Sequence, residues 1–471
     1  MVIIEVSIDF CKTVVFQAYR CYDVIMGDSD KYNTYSLRSC KKAPAVTRII
    51  DSAITAADPY LAVKNHIKRS GDQLQIGDQI YNLNLFSRIK IIAIGKAAPS
   101  MADALLTHLD NNDCTGFVVT KHAESNAIGP LRVLKTGHPL PDERSLFAGE
   151  QIVNFCKGAT ETDLVICLIS GGGSSLITYP KKGVSLADLQ YLTNLLLRCS
   201  ASIYEINTLR RHLDLIKGGG LVRFTTPAQV ISLILSDVVG DPLEAIASGL
   251  TAPDPTTSSD ALNIITRYGL LSSIPQPILS AIENETLKPG DPLFDRVHNF
   301  IIGNNSMSAQ AALAQAQKEG FHTILLTTSL QGEASLTGSS LASTLRQTVF
   351  DSHSVSRPAC LVAGGETTVT IRGDGCGGRN QELALGAVIS LAGLNEVMLV
   401  SLATDGEDGS TDAAGAIVTG DSRTRAAAMG LDVCDHLDRN DSYTFFHGLG
   451  DLLKIGPTGT NVNDLIFLFA F

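Results

Sequence analysis

The chain has 471 residues, 44% hydrophobic and 18% charged, a composition that excludes a disordered tail protein and suggests about two or three domains. With 37 Lys+Arg against 48 Asp+Glu the formal net charge is −11, which disfavours non-specific nucleic-acid binding but leaves room for a local basic pocket that takes a small anion. Apolar runs such as 164–169 and 230–235 have strand length and fall short of the roughly 18 residues a membrane helix needs. The ten cysteines are scattered without a CxxC pair, and Cys167 lies inside an apolar run; this reads as reduced thiols in a reducing compartment, with no zinc site.

Residues 1–42 read as a leader of uncertain structure. They carry apolar patches at 2–6 and 14–16, but Glu5, Asp9, Asp23, Asp28 and Asp30 fit neither a secretory signal nor a mitochondrial transit peptide. From residue 43 onward apolar runs alternate with amphipathic stretches. Strands are predicted over 89–94, 116–120, 164–169 and 229–235, and helices over 97–109, 143–155, 186–197 and 204–216. A loop rich in Pro, Gly and Asp at 287–296 marks a domain boundary near 290. Strands over 300–302, 322–327, 359–363 and 397–403 then alternate with helices over 306–318, 335–349 and 380–391. The expected fold is two α/β domains, 43–290 and 291–471: a doubly wound, mainly parallel sheet first, a smaller α/β domain second.

Four glycine-rich turns follow predicted strands. In Gly95-Lys96-Ala97 a glycine lets the backbone approach a ligand while Lys96 adds positive charge; an ordinary turn with a surface lysine is the competing reading. Ser170-Gly171-Gly172-Gly173-Ser174-Ser175 offers a nest of backbone donors for phosphate or carboxylate, and is neither a Walker A loop nor a GxGxxG turn. Ala363-Gly364-Gly365-Glu366 is followed by Gly377-Gly378-Arg379-Asn380, which puts an arginine at a helix start. The helix dipole disfavours a cation there unless an anion meets its fork; a solvated helix start is the alternative. In the fourth turn Asp405, Glu407 and Asp408 repel one another unless a cation such as Mg²⁺ sits among them, or they form a plain acidic turn. Asp237 ends another strand, at the sheet edge where open α/β folds bind ligands. His138 and His447 read as structural or hydrogen-bonding residues. Arg210 and Lys217 share a helix face that lines an anion pocket or faces solvent. Together these features point to a nucleotide- or phosphate-handling enzyme that uses magnesium.

The motifs, in order, resemble the class II glycerate 2-kinases, whose C-terminal part is the MOFRL domain. The strings that carry this are Gly95-Lys96-Ala97, Gly137-His138-Pro139, Ser170-Gly171-Gly172-Gly173-Ser174-Ser175, Ile206-Asn207-Thr208, Ser236-Asp237-Val238-Val239-Gly240-Asp241, Ala363-Gly364-Gly365-Glu366, Gly378-Arg379-Asn380-Gln381-Glu382, Thr404-Asp405-Gly406 and Thr458-Gly459-Thr460-Asn461-Val462. The resemblance implies ATP-dependent phosphorylation of D-glycerate at its 2-hydroxyl, with Mg²⁺, in a cleft between a Rossmann-like first domain and the second. It implies catalytic roles for the two basic residues Lys96 and Arg379. Beside them, the residues themselves lead us to expect a catalytic role for Asp237, cofactor contacts from Gly171, Gly172, Gly173, Ser174, Gly365 and Glu366, and metal binding by Asp405 and Asp408, with Asp237, Asp405 and Asp408 each able to hold Mg²⁺ or to orient the hydroxyl. Leu250 replaces the family's usual proline, and Asp374 and Cys376 occupy a loop that is often basic in relatives. The rival readings are an NAD(P)H-dependent hydroxypyruvate reductase, against which the missing GxGxxG turn speaks, and a non-catalytic binder of a small organic acid. The expected partner is a small-molecule substrate, with no nucleic acid and no membrane. A homodimer is compatible with the sequence. The expected location is the cytoplasm, with the mitochondrion as the alternative.

Overall fold

The computed structural model of the chain describes residues 32–109, 114–350 and 356–471; most of the expected leader, 1–31 with its apolar patches, lies outside the described residues. Three short strands, β1 (Ile67–Ser70), β2 (Gln73–Ile76) and β3 (Gln79–Asn82), pair antiparallel in a small meander that the sequence reading missed. The first large sheet holds β4 (Arg88–Ile94), β5 (Cys114–Thr120), β6 (Ala127–Ile128), β7 (Leu131–Lys135), β8 (Asp163–Ile169), β9 (Gln229–Leu235) and β10 (Val297–Gly303). Its order is β10-β9-β8-β4-β5-β7-β6, parallel throughout except for the edge strand β6. All seven residues of β8 are buried, as a strand covered by helices on both faces requires. Successive residues of β4 serve opposite faces: Ile91 and Ala93 join one core, Ile92 and Ile94 the other. The chain runs outward from β4 through β5 to β7, then returns to β8 on the other side of β4. The carboxyl ends of β4 and β8 therefore form a topological switch point, where such sheets open a crevice for ligand.

The second sheet holds β11 (His322–Leu330), β12 (Ala359–Gly365), β13 (Val397–Ala403), β14 (Gly415–Thr419), β15 (Leu452–Leu453) and β16 (Asp464–Ala470), in the order β11-β12-β16-β13-β14-β15. The C-terminal strand β16 inserts antiparallel between β12 and β13 and is buried along its whole length. Its amino end thus lies beside the carboxyl ends of both neighbours: Asp464 is opposite Gly365 on one side and Ala403 on the other.

The structure moves both ends of the expected domains. β10, read as the first strand of the second domain, pairs parallel with β9 and extends the first sheet, so the division falls after Gly303 and not near 290. Helix Ala43–Ala56, assigned by sequence to the first domain, packs on the second. Its Val46, Ile49, Ile50 and Ala53 stripe meets the alanine row Ala309, Ala312 and Ala316 of helix Asn305–Lys318, whose small side chains allow close approach. The end of the expected leader is ordered with it: Ser36 donates from its backbone N–H and its hydroxyl to the buried Asp451, at 2.8 and 2.9 Å. No helix among the described residues is long and apolar enough to cross a membrane.

Candidate active site

The crevice edge of the first sheet presents Lys96 after β4, Lys121 after β5, the 170–175 turn after β8 and Asp237 after β9. The first and third are tied together. The Ala97 N–H donates to Ser170 Oγ at 3.1 Å, and the Lys96 N–H to the Gly171 carbonyl at 2.9 Å. The three glycines are demanded by crowding. A Cβ on Gly171 would lie 2.1 Å from Asp237 Oδ2, and one on Gly173 2.6 Å from the Ala247 Cβ. Gly172, at φ 85°, sits 3.1 Å by the same measure from the His138 ring. Ser174 Oγ lies 2.9 Å from Ser248 Oγ. Asp237 and His138 thus flank adjacent glycines of one turn.

Burial pushes the Asp237 carboxyl up to about 6; Lys96 opposes the rise and Glu366 adds to it. Burial, with the cations Lys96, Lys121 and Arg210 around it, brings the His138 imidazole down to about 4 and leaves it neutral at pH 7. Lys96, Lys121 and Arg210 take part in no ion pair recorded among the described residues, and they form a positive rim on a chain of net charge −11.

The second sheet meets this edge with an acidic cluster around one arginine. Arg379, first residue of helix Arg379–Leu391, forks onto Asp464, with Nε to Oδ2 at 2.6 Å and Nη2 to Oδ1 at 3.0 Å. Its Nη1 donates to Glu366 Oε1 at 2.6 Å. Burial opposes the charge on Arg379, but Asp464 and then Glu366 outweigh it and hold the guanidinium above its usual range. The anion that offsets this helix-start cation is therefore supplied by the protein, where the sequence reading looked for a bound ligand. Asn463, at φ 67°, joins the two sheets: its Nδ2 donates to the Asp237 carbonyl at 2.8 Å and to Glu366 Oε2 at 3.2 Å.

The predicted residues divide accordingly. Lys96, Asp237, Gly171, Gly172, Gly173 and Ser174 gather on the first sheet, and Arg379, Glu366 and Asp405 on the second, within reach of one another's charge. Asp408 does not fit the metal role expected of it. Its side chain is almost fully buried and caps helix Arg379–Leu391, accepting the N–H groups of Asn380 at 3.1 Å and Gln381 at 2.9 Å. Gly365 does not fit an open nucleotide contact. A Cβ there would lie 2.3 Å from the Leu330 backbone, so the glycine serves strand packing. Glu366 is taken up by Arg379 and Asn463. Asp405 keeps a half-buried carboxylate whose one recorded hydrogen bond is from the Glu407 N–H at 3.2 Å; burial raises its pKa while Arg379 and Lys96 pull it down. No group of three or more His, Cys, Asp or Glu suited to a metal occurs among the described residues. A lone acid of this kind fits magnesium that arrives on a nucleotide and keeps most of its water, because Mg²⁺ needs only one or two protein carboxylates.

Sequence reasoning missed Asp464 and Asn463. Both stand at the start of an apolar run to which the sequence reading assigned no element; only the antiparallel insertion of β16 carries them to the crevice.

Two family models cover most of the chain: one described as a domain of unknown function (DUF4147) at residues 45–283, and the MOFRL family at 359–464. A glycerate 2-kinase from Pyrococcus horikoshii is 42% identical over 89% of this chain and 95% of its own length. A D-glycerate 2-kinase from Thermotoga maritima is 43% identical, over 89% of this chain and 96% of its own. The crystal structure of glycerate kinase from Thermotoga maritima matches with a TM-score of 0.82, over 91% of this chain and 99% of that one. A relative from Agrobacterium vitis, 38% identical over 89% of this chain and 92% of its own length, carries a provisional hydroxypyruvate reductase name. Two facing α/β sheets with a cationic turn on one and an arginine–carboxylate cluster on the other define a two-domain α/β enzyme of the MOFRL type. The chain belongs to the glycerate 2-kinase family.

Proposed function

We propose that this chain transfers the γ-phosphoryl group of ATP to the 2-hydroxyl of D-glycerate. The observation that carries this reading is the meeting of Lys96 and Asp237 from the first sheet with Glu366, Arg379 and Asp405 from the second, joined through Asn463. Phosphoryl transfer needs positioning and charge neutralisation more than covalent chemistry, and this set supplies both. Asp237, with a pKa of about 6, is ionised at neutral pH and accepts the hydroxyl proton as the oxygen–phosphorus bond forms and the bond to the ADP oxygen breaks. Lys96, exposed and outside any recorded ion pair, offsets charge on the moving phosphoryl group. The backbone nest of Gly171–Ser174 holds an anionic oxygen. Arg379 keeps the acidic cluster in register, and its partly exposed partner Glu366 yields Nη1 to an incoming phosphate. Magnesium, carried by the nucleotide and held by Asp405, would supply further neutralisation. The buried Cys156, Cys167 and Cys360 suit a reducing cytoplasm.

Purified protein given ATP, Mg²⁺ and D-glycerate should release ADP only when glycerate is present. The reductase reading predicts NADH loss with hydroxypyruvate instead; robust NADH turnover without glycerate-dependent ADP release would overturn the kinase reading.

A further inference from the structure

Three cations lie on or beside helix Ile203–Leu213, and two of them are neutralised. Arg211 pairs with Asp254 at 2.8 Å, and Lys217 with Asp214 at 2.6 Å. Arg210 is half-buried, and its one recorded hydrogen bond runs from Nη1 to Asn207 Oδ1 at 3.3 Å; no carboxylate pairs with it among the described residues. Burial alone pulls its pKa below the ordinary arginine value, with no acid to pull it back. A partly desolvated guanidinium with no carboxylate beside it is left uncompensated in the free protein, and an anionic ligand would compensate it. Arg379, by contrast, already spends its fork on Asp464 and Glu366.

Arg210 and Ser174 stand at the polar side of one cavity of about 30 Å³, room for a water molecule, whose other walls are leucines of the neighbouring helices and the Lys217–Asp214 pair; a substrate carboxylate would meet Arg210 from the crevice side, where His138 lies. Ser174 belongs to the turn whose Gly172 touches His138 and whose Gly171 touches Asp237. Arg210 is also close enough to His138 to depress its pKa. Asp237 and the His138–Arg210 side therefore pack on adjacent glycines, Gly171 and Gly172, of one turn. A base and a cation on neighbouring positions of one turn suit a small 2-hydroxy acid, in which the reacting hydroxyl and the carboxylate sit on neighbouring carbons.

Building on the kinase reading above, we propose that Arg210 is the carboxylate receptor of the acid substrate: its fork takes the C1 carboxylate beside His138 and Ser174 while the 2-hydroxyl faces Asp237. It thereby sets the preference for an acid over a neutral polyol or ester.

The test compares KM for D-glycerate and for ATP in wild type, Arg210→Lys and Arg210→Gln, with methyl D-glycerate as the uncharged substrate and melting temperature as the folding control. Loss of a charge-assisted fork should raise KM for D-glycerate about 10- to 100-fold in Arg210→Gln, with KM for ATP changed less than about twofold. Discrimination between acid and ester should shrink by the same factor. Arg210→Lys, which keeps the charge without the fork, should fall between, and it carries the test if the glutamine variant melts early. A rise confined to ATP, or no change in either KM, would overturn the assignment. Calorimetric titration with D-glycerate alone separates this proposal from the kinase reading. If the wild type transfers no phosphoryl group yet binds glycerate, loss of that binding in Arg210→Gln sustains the receptor. Equal binding in both proteins, or no binding to either, removes it.

Discussion

Gly171 and Asp237 occupy abutting space at the switch point, with Asp237 Oδ2 only 2.1 Å from where a Cβ on Gly171 would stand. The carboxylate is therefore aimed by the absence of a side chain on the neighbouring turn. Gly171→Ala should swing Asp237 away from the hydroxyl. A displacement of about 1 Å at a reacting group can cost roughly 10²-fold, and kcat should fall by about that much while the melting temperature shifts little. Steady-state kinetics beside a thermal melt checks both.

The raised pKa of Asp237 gives two pH signatures. Activity needs the ionised base, so kcat/KM should climb as pH rises through about 6 and then level, and Asp237→Asn should abolish the activity that carries this limb. Stability should move the other way. The folded protein binds this proton more tightly than the unfolded chain, whose carboxyl titrates near 3.8, so the group's contribution to stability falls as pH rises from about 4 to about 6. Asp237→Asn should accordingly melt higher than wild type at pH 7.5, by roughly 2–4 °C if about 1 kcal/mol is recovered, and lose that advantage near pH 4. An unchanged melting difference across that range would contradict the burial argument.

Much of this fold was legible because buried parallel strands write themselves as short apolar runs followed by amphipathic helices. β4, β8, β9, β12 and β13 all stand where that alternation places them. β16 did not announce its place: Asp464–Ala470 follows a coil, pairs antiparallel, and reaches two strands far from it in sequence. The same long-range step hid Asp464 and Asn463 from a reading of local motifs. Lys96, Asp237 and the 170–175 turn were legible because each directly follows its own strand. Asp405 and Asp408 were not separable, since three acids in four residues do not say which one turns inward. Arg210 and Lys217 looked alike on one helix face until Asp214 was seen to claim only the lysine.

Those two acids should part experimentally. Asp408→Asn removes a charged cap from a buried helix start and should cost about 1–2 kcal/mol of stability, with little change in the Mg²⁺ concentration that half-activates the enzyme. Asp405→Asn should leave the melt near wild type and raise that Mg²⁺ requirement several-fold. Titrating activity with Mg²⁺ after EDTA treatment distinguishes them, and the reverse pattern would return the metal role to Asp408.

Arg379 carries a burden of stability as well as charge. Arg379→Ala leaves Asp464, 3% exposed, without its ion partner and should destabilise the fold by about 3 kcal/mol or more. Adding Asp464→Asn removes the stranded charge and should restore most of that loss but none of the activity. If the double variant regains turnover, Arg379 acts only as a structural counter-ion.

The most direct test of the account is the identity of the product. Protein incubated with ATP, Mg²⁺ and D-glycerate should yield a single new phosphate ester whose phosphorus couples, in ¹H–³¹P correlation NMR, to the one proton on C2. Coupling to the two C3 protons would place the phosphate on the other hydroxyl, and no new ester at all would contradict phosphoryl transfer at this site.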